Sequence, residues 1–301
     1  MAHKIVITTF NEDIAQFIMF CYCLNKNWNG NRFITVVVNS VRPYSDAEWD
    51  KFYQRVISIT QDYLSEWTVE IFDGRHADNF GYREQAVNKV LYGIDYRFED
   101  VIVFDCKDFL LKSADLLTFK KNNKYRVTYW KHDQKLIDMY PEVIELLDQD
   151  LSHVPGVINL TPWIWNVNQL EKYWKYMTAR FGDYSKWVGY YRGGTESDTY
   201  YAYTYCDPDK PIKFLNPIHT PLLISGGWAG QTYENMLEQA NQFDQSLTSI
   251  IWKHNRRIPD PRCLDITKSV LSKYGIEKQI IDLAFKNYTI GAADHPPGGR
   301  Y

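Results

Sequence analysis

The sequence predicts an α/β fold in which a mostly parallel sheet carries helices on both faces. Over about the first hundred residues, short apolar runs alternate with segments of helical spacing. The apolar runs are continuous and do not alternate with polar residues, which is typical of strands buried on both faces. Strands and helices in strict alternation are typical of parallel sheets.

The first seven elements follow one another without long connections. Ser45 begins the second helix, because Glu48 three residues later completes a capping box. Strands are predicted at Lys4–Thr9, Phe33–Asn39, Trp67–Phe72 and Val101–Phe104, and helices at Ile14–Leu24, Ser45–Leu64 and Tyr82–Leu91.

The pattern of the remaining chain is less regular. Strand-like segments from Lys124 to Trp165 enclose a helix at Lys135–Leu147, and a dense aromatic segment spans Tyr184–Tyr205. Further helices are expected at Gln169–Phe181, Tyr233–His254, Asp265–Lys273 and Glu277–Asn287. We therefore predict a main domain at 1–230 and a helical C-terminal extension at 231–301.

Composition restricts the classes of function. The chain has 301 residues, 45% hydrophobic and 16% aromatic, so it is long and apolar enough to fold. A net charge of −3 argues against a protein that coats nucleic acid or anionic membrane. Five cysteines without metal-ligand spacing favour a reduced, cytoplasmic compartment, and Cys21 and Cys23 are expected to be buried, inert thiols. No signal peptide or membrane-spanning segment is expected.

Polar residues follow each predicted strand, where parallel sheets bind ligands. Asp105 and Asp108 come directly after the fourth strand, and carboxylates are the ligands that Mg²⁺ or Mn²⁺ prefers. Asp73 follows the third strand and is a candidate contact for the ligand. An acidic strand end also commonly caps a helix, so this spacing alone leaves both interpretations open.

The helix before the fourth strand carries a second signal. Gln85 and Lys89 are four residues apart and share one face of this helix. A lysine directed at the strand ends neutralises a phosphate, and a glutamine orients a hydroxyl. The competing interpretation is that Lys89 is solvated.

The order of these motifs resembles the nucleotide-sugar-dependent glycosyltransferases of the GT-A (Rossmann-like) fold, especially a bacterial and viral group of DUF6492-like organisation. The resemblance covers about residues 3–225. The motifs that carry it are ITTFNED, GYREQAVNKV, VIVFDCKDFLL, NLTPWIWN and ESDTYYAY.

The resemblance implies a hexosyl- or pentosyltransferase that uses a nucleoside-diphosphate sugar and acts on a saccharide or lipid-linked saccharide. Residues 1–230 would be its catalytic domain. Asp198 would be the general base, with Glu196 as its nearest substitute. The remaining implied roles are a Mn²⁺ or Mg²⁺ site at Asp105, Asp108 and His219, and donor contacts at Thr8, Thr9, Phe10, Asn11, Gln85 and Lys89.

The acidic motif departs from the usual D-x-D pattern of that family. Two residues separate Asp105 from Asp108, and one of them is Lys107. A cation within the motif either weakens metal binding or stands in for the metal by stabilising the leaving diphosphate. Lys107 is therefore a further candidate donor contact.

Two alternatives to a saccharide-directed enzyme stay open. The segment 251–301 has a net charge of about +4, which suits a viral enzyme that glycosylates hydroxymethylated bases in DNA. The cations concerned are Arg256, Arg257, Arg262, Lys268, Lys273 and Lys278. The second alternative is a non-catalytic nucleotide- or saccharide-binding protein. A dinucleotide oxidoreductase is disfavoured, because no glycine fingerprint follows the first strand.

Aromatic residues crowd the segment around the ESDTYYAY motif. Most are expected to pack in the core, and one or two are expected to line the acceptor groove, since sugars and bases stack on aromatic rings. The candidates are Trp163, Trp165, Trp187, Tyr190 and Tyr191.

Overall fold

The computed structural model describes residues 2–40, 44–75, 82–106, 108–121, 124–125, 147, 161–182, 196–206, 222–225, 233–242, 249–253 and 262–285. The strands are β1 (His3–Thr9), β2 (Phe33–Val38), β3 (Thr68–Asp73), β4 (Asp100–Asp105), β5 (Asp108–Leu110), β6 (Lys120–Lys121), β7 (Lys124–Tyr125), β8 (Trp163–Asn166), β9 (Leu222–Ser225) and β10 (Ser249–Lys253). The helices are α1 (Ile14–Asn27), α2 (Asp46–Tyr63), α3 (Tyr82–Gly93), α4 (Leu116–Phe119), α5 (Val167–Phe181), α6 (Glu196–Cys206), α7 (Tyr233–Gln242), α8 (Arg262–Lys273) and α9 (Lys278–Phe285).

The main sheet has the strand order β3-β2-β1-β4-β8. The first four strands are parallel, and β8 is antiparallel to β4 at one edge. The predicted α/β class with a mostly parallel sheet is thereby confirmed. The seven predicted elements up to residue 105 are all present, with ends that differ by a few residues.

The chain reverses its direction of travel across the sheet at β1. It proceeds from β1 to β2 and β3 on one side, then crosses to β4 on the other side of β1. In open parallel sheets, ligands bind at such a switch point, in the crevice beyond the carboxyl ends of the strands. Here that crevice lies beyond the ends of β1 and β4.

Helices cover both faces of the sheet. Right-handed crossovers place α1 and α2 on one face and α3 on the other, and α1 packs against α2 while α3 packs against α5 and α6. The interiors of β1, β2 and β4 are buried, whereas the edge strand β3 is half-buried to exposed. The capping box predicted at Ser45 and Glu48 is present at the start of α2. Cys21 and Cys23 are buried free thiols, as predicted.

The C-terminal region contributes more than helices. A smaller sheet has the order β5-β10-β9, and it joins β10 to the strand that directly follows β4. The single helix predicted over Tyr233–His254 is wrong, because this segment forms α7 and then β10. Residues 249–253 carry the β-branched and aromatic run SIIWK, which suits a strand.

The two following helices agree with the sequence. α8 ends before Gly275, which has a φ of +72° that favours glycine. The helix predicted at Lys135–Leu147 lies outside the described residues, except for Leu147. Within the described part of the chain, no helix combines the length and apolar character needed to cross a membrane.

Candidate active site

The ends of β1 and β4 form the floor of the site. Thr8 and Asp105 are direct neighbours across the two strands. The Gln85 amide of α3 donates to both residues, with Nε2 2.8 Å from Thr8 Oγ1 and 3.2 Å from Asp105 Oδ1. Gln85 therefore lies at the strand ends, and its contact with the donor stays a prediction.

Lys89 lies one helical turn beyond Gln85 and is buried. Its Nζ is 2.7 Å from Asp105 Oδ1 and 3.4 Å from Glu196 Oε1, and it lies 4.6 Å from the centre of the Trp163 ring. The Lys89 side chain is 1% exposed, whereas that of Asp105 is 28% exposed. The interpretation of Lys89 as a solvated side chain is therefore wrong.

The charge of Lys89 is maintained by its partners. Burial lowers the pKa of the ammonium, but the attraction of Asp105 and Glu196 outweighs that effect, so the pKa is raised overall. Glu196 is buried too, and burial raises the pKa of its carboxyl although Lys89 opposes the shift. The three groups form one coupled charge cluster with two carboxylates and one ammonium.

Two tyrosines fix α6, and with it Glu196, against the sheet. The Tyr201 hydroxyl donates to the Ile164 carbonyl and accepts from the Ile164 N–H, at 2.9 and 3.0 Å. The Tyr200 hydroxyl accepts from the Asn166 N–H at 3.2 Å. These hydroxyls occupy the outer edge of β8, where a further strand would otherwise pair. Glu196 is the first residue of this helix, where the helix dipole favours a carboxylate.

Asp108 is enclosed by the protein. It begins β5, is fully buried, and its Oδ2 accepts the Asp105 N–H at 2.9 Å. Burial and the nearby Asp105 charge raise the pKa of Asp108 to about 8, although the Thr161 hydroxyl lowers it. Burial therefore disfavours the charged form of this carboxyl.

These positions do not fit a metal site made by Asp105 and Asp108 together. A hard divalent cation needs ionised, accessible oxygens, but Asp108 is buried and Asp105 Oδ1 is bound by Lys89 and Gln85. Within the described ranges, no three histidine, cysteine, aspartate or glutamate side chains are grouped so as to hold a metal ion.

A second polar cluster lies at the end of β2 and was not predicted in full. The Asn88 amide of α3 donates to Asn39 Oδ1 at 2.8 Å and to the Gly74 carbonyl at 2.7 Å. A side chain at Gly74 would lie only 2.5 Å from Asn39 Oδ1 and Asn88 Nδ2, so the position requires glycine. The Ser40 N–H donates to Glu84 Oε2 at 2.6 Å.

The signal for this cluster was present in α3. Asn88 lies three residues after Gln85, and Glu84 lies four residues before Asn88, so all three point to the strand ends with Lys89. The core-facing surface of a helix is normally apolar, so four buried polar side chains on two successive turns are unusual. These four positions are the sequence signal from which a polar crevice could have been predicted.

The remaining candidate donor contacts lie apart from the charge cluster around Lys89. Thr9 points to the opposite sheet face from Thr8, since successive strand residues alternate. Phe10 is buried and Asn11 is exposed at the start of a short 3-10 helix. Asp73 is separated from β4 by two strands and pairs with Arg75 at 2.6 Å.

Some of the predicted site residues lie outside the part of the chain that the structure describes. Trp163 and Trp165 are buried, in agreement with the core role expected for most of the aromatic residues. Residues and side chains outside the described set are Lys107, Trp187, Tyr190, Tyr191, His219 and the side chain of Asp198, whose backbone belongs to α6.

Comparisons with known proteins identify the fold. No protein-family model and no curated protein matches the chain by sequence. The apo structure of the bifunctional glycosyltransferase WbbM aligns with a TM-score of 0.57 and 12% identity over 94% of this chain. The chain spans 51% of the length of WbbM.

A second similar structure has nearly the same extent. The galactosyltransferase LgtC, in complex with donor and acceptor sugar analogues, aligns with a TM-score of 0.50 and 9% identity over 95% of this chain and 97% of its own. Identities this low support a shared fold and no more. Together with the sheet order, these likenesses show that the chain has the GT-A type of glycosyltransferase fold.

Proposed function

We propose that this chain is a glycosyltransferase that moves a sugar from a nucleoside-diphosphate sugar to an acceptor hydroxyl. The observation that carries the proposal is the cluster of Thr8, Gln85, Lys89, Asp105 and Glu196 at the switch point of the sheet. Buried, interacting polar groups in a crevice are typical of functional sites. The GT-A type of fold supports glycosyl transfer as the reaction.

The donor is proposed to lie across the carboxyl ends of the strands. Asp105 is the partly exposed member of the cluster and would accept donor hydroxyl hydrogens, with Gln85 and Lys89 holding its carboxylate in place. Thr8, Thr9, Phe10 and Asn11 would lie beside the base and ribose. We keep Asp73 as a more remote donor contact and Lys107 as a contact of the diphosphate.

The proposed reaction is displacement at the anomeric carbon. The bond from this carbon to the diphosphate oxygen breaks, a bond to the acceptor oxygen forms, and the acceptor proton passes to a carboxylate. We propose Asp198 as that base. Glu196 is buried against Lys89, and this contact supports a positioning role for it.

A saccharide acceptor is favoured over modified DNA. The part of the basic tail that joins α8 to α9 is anchored at the end of α1 that is remote from the strand ends, whereas β10, at the start of the tail, pairs with β5 beside Asp108. At that end of α1 the Tyr22 hydroxyl donates to Glu277 at 3.2 Å, and Lys26 binds the Gly275 carbonyl. A cytoplasmic location is proposed together with this function, since Cys21 and Cys106 are free thiols.

The first test is a thermal-shift screen of nucleotide sugars with and without Mn²⁺. At least one is expected to raise the melting temperature, because a ligand that binds only the folded state stabilises it. The matching donor is then assayed for acceptor-dependent release of nucleoside diphosphate with oligosaccharides and with hydroxymethylated DNA. Stabilisation without release would identify a non-catalytic binding protein, and no stabilisation by any donor would contradict the proposal.

The second test removes the proposed site carboxylates. Asp105→Asn and Asp198→Asn are each expected to lower turnover by about 100-fold or more, because a positioned carboxylate contributes about that factor. Asp62→Asn is the control, since Asp62 is exposed on α2 and remote from the strand ends. Full turnover in both site variants would show that the residues are assigned wrongly.

A further inference from the structure

The cluster at the end of β4 contains its own cation. The Lys89 ammonium lies 2.7 Å from Asp105 Oδ1, on an internal side chain that solvent does not reach. Glu196 Oε1 lies 3.4 Å from the same nitrogen, and the centre of the Trp163 ring lies 4.6 Å from it. Contacts from α3, β4, β8 and α6 therefore fix the position of the ammonium.

This cation occupies the Oδ1 side of the Asp105 carboxylate. A divalent ion on Oδ1 of Asp105 lies about 2 Å from that oxygen, and therefore within about 5 Å of the Lys89 Nζ. Two cations this close repel strongly at a site of low polarity. Asp108 provides no relief, because both of its oxygens are enclosed by protein: Oδ2 accepts the Asp105 N–H, and Oδ1 is buried as well.

We infer that Lys89 is a built-in cation that replaces a resident divalent metal, so that this chain binds and transfers its donor sugar without Mn²⁺ or Mg²⁺. The inference rests on the proposed function. Lys89 pairs from within the protein with Asp105, the cluster carboxylate that is partly open to the crevice, so a diphosphate bound there meets an ion pair and not a lone carboxylate. Glu196 is the positioning residue that holds the ammonium.

The same strand supplies a matched control at its other end. Lys120 pairs with Asp100, the first residue of β4, at 2.6 Å, and it lies 5.2 Å from the centre of the Tyr125 ring. This buried lysine, aspartate and aromatic ring repeat the chemistry of the Lys89 cluster. They lie at the amino end of the strand, away from the proposed donor site, so Lys120→Met controls for the loss of a buried ion pair.

The decisive measurement uses the unmodified chain. Its binding to UDP, GDP, ADP and dTDP is measured by calorimetry in EDTA and again in MnCl₂, and Mn²⁺ binding to the protein alone is followed by electron paramagnetic resonance. We expect at least one nucleotide to bind with dissociation constants that agree within about twofold in the two buffers. We expect no stoichiometric Mn²⁺ binding by the protein.

Two results would overturn the inference. Nucleotide binding that strengthens by about tenfold or more with Mn²⁺ would restore the metal site and leave the proposed function intact. Failure of every nucleotide to bind in both buffers would overturn the proposed function and this inference with it. These two outcomes are distinguishable, because only the first one includes a bound nucleotide.

Variants extend the test beyond the unmodified chain. Lys89→Met is expected to weaken nucleotide binding in EDTA by about tenfold or more, and MnCl₂ is expected to recover part of the loss. Lys120→Met should bind nucleotide like the unmodified chain in both buffers. If Lys89→Met does not fold, Lys89→Arg keeps the charge and should retain metal-independent binding. Equal effects of Lys89→Met and Lys120→Met on binding would contradict the assignment.

Discussion

A buried lysine pairs with an aspartate at each end of β4. Lys89 pairs with Asp105 at the carboxyl end, and Lys120 pairs with Asp100 at the amino end. Removing one partner of such a pair leaves an uncompensated charge, which is costly inside a protein. The pairs differ in exposure, since Asp100 is fully buried and Asp105 is partly open to the crevice. This difference makes one pair structural and the other available to a ligand.

Asp108 predicts a specific dependence of stability on pH. An aspartate in an unfolded chain has a pKa near 3.9, whereas burial and Asp105 raise the pKa of Asp108 to about 8. The folded state therefore binds this proton more tightly. Between about pH 4 and pH 8, the Asp108 contribution to stability falls as the pH rises, and it is constant above that range.

The variant Asp108→Asn should lack this loss of stability. Urea unfolding of both proteins from pH 4 to pH 9 is expected to show the variant gaining relative to the unmodified chain until about pH 8. Parallel stability curves over the whole range would mean that Asp108 titrates at its ordinary value, and would contradict its placement.

At the scale of elements, α6 closes the sheet. The edge strand β8 has outward N–H and C=O groups that need partners. Tyr200 and Tyr201 provide them with side-chain hydroxyls, because the backbone of a helix cannot continue a ladder. The same contacts place Glu196 beside Lys89, so the edge of the sheet and the site depend on one helix.

Removing the Tyr201 hydroxyl should therefore be costly. Tyr201→Phe leaves the Ile164 N–H and C=O without their partner in a buried place, and a loss of about 1–3 kcal/mol in the free energy of unfolding is expected. The control is Tyr22→Phe, whose hydroxyl donates to Glu277 at an exposed position, and a change of less than about 1 kcal/mol is expected for it. Equal losses, measured by urea unfolding, would contradict the role of Tyr201.

At the scale of the molecule, the C-terminal region is integral to the described structure. β10 pairs with β5, and α9 packs on α1. Ile276, Ile280 and Ile281 are buried at this second contact. The boundary proposed after residue 230 therefore separates strands of one sheet.

Truncation tests this boundary. A fragment of residues 1–230 loses β10, α8 and α9, so it is expected to aggregate or to melt without a cooperative transition. A fragment of residues 1–285 keeps every described element and is expected to unfold cooperatively, as measured by circular dichroism. A stable, cooperative 1–230 fragment would instead support an independent domain at 1–230.

The sequence by itself determined the order of the elements, the parallel class of the sheet and the strand ends that carry polar residues. These features depend on local periodicity and capping, as at Ser45 and along α3. Such patterns can be recognised within a single segment, because they do not depend on the rest of the chain. Only the tertiary structure decided that Lys89 is buried between Asp105 and Glu196, and that Asp108 faces inward. Those environments form where β4, α3 and α6, which are distant in sequence, pack together. Desolvation and charge pairing depend on which groups lie nearby in space, so local sequence patterns do not reveal them.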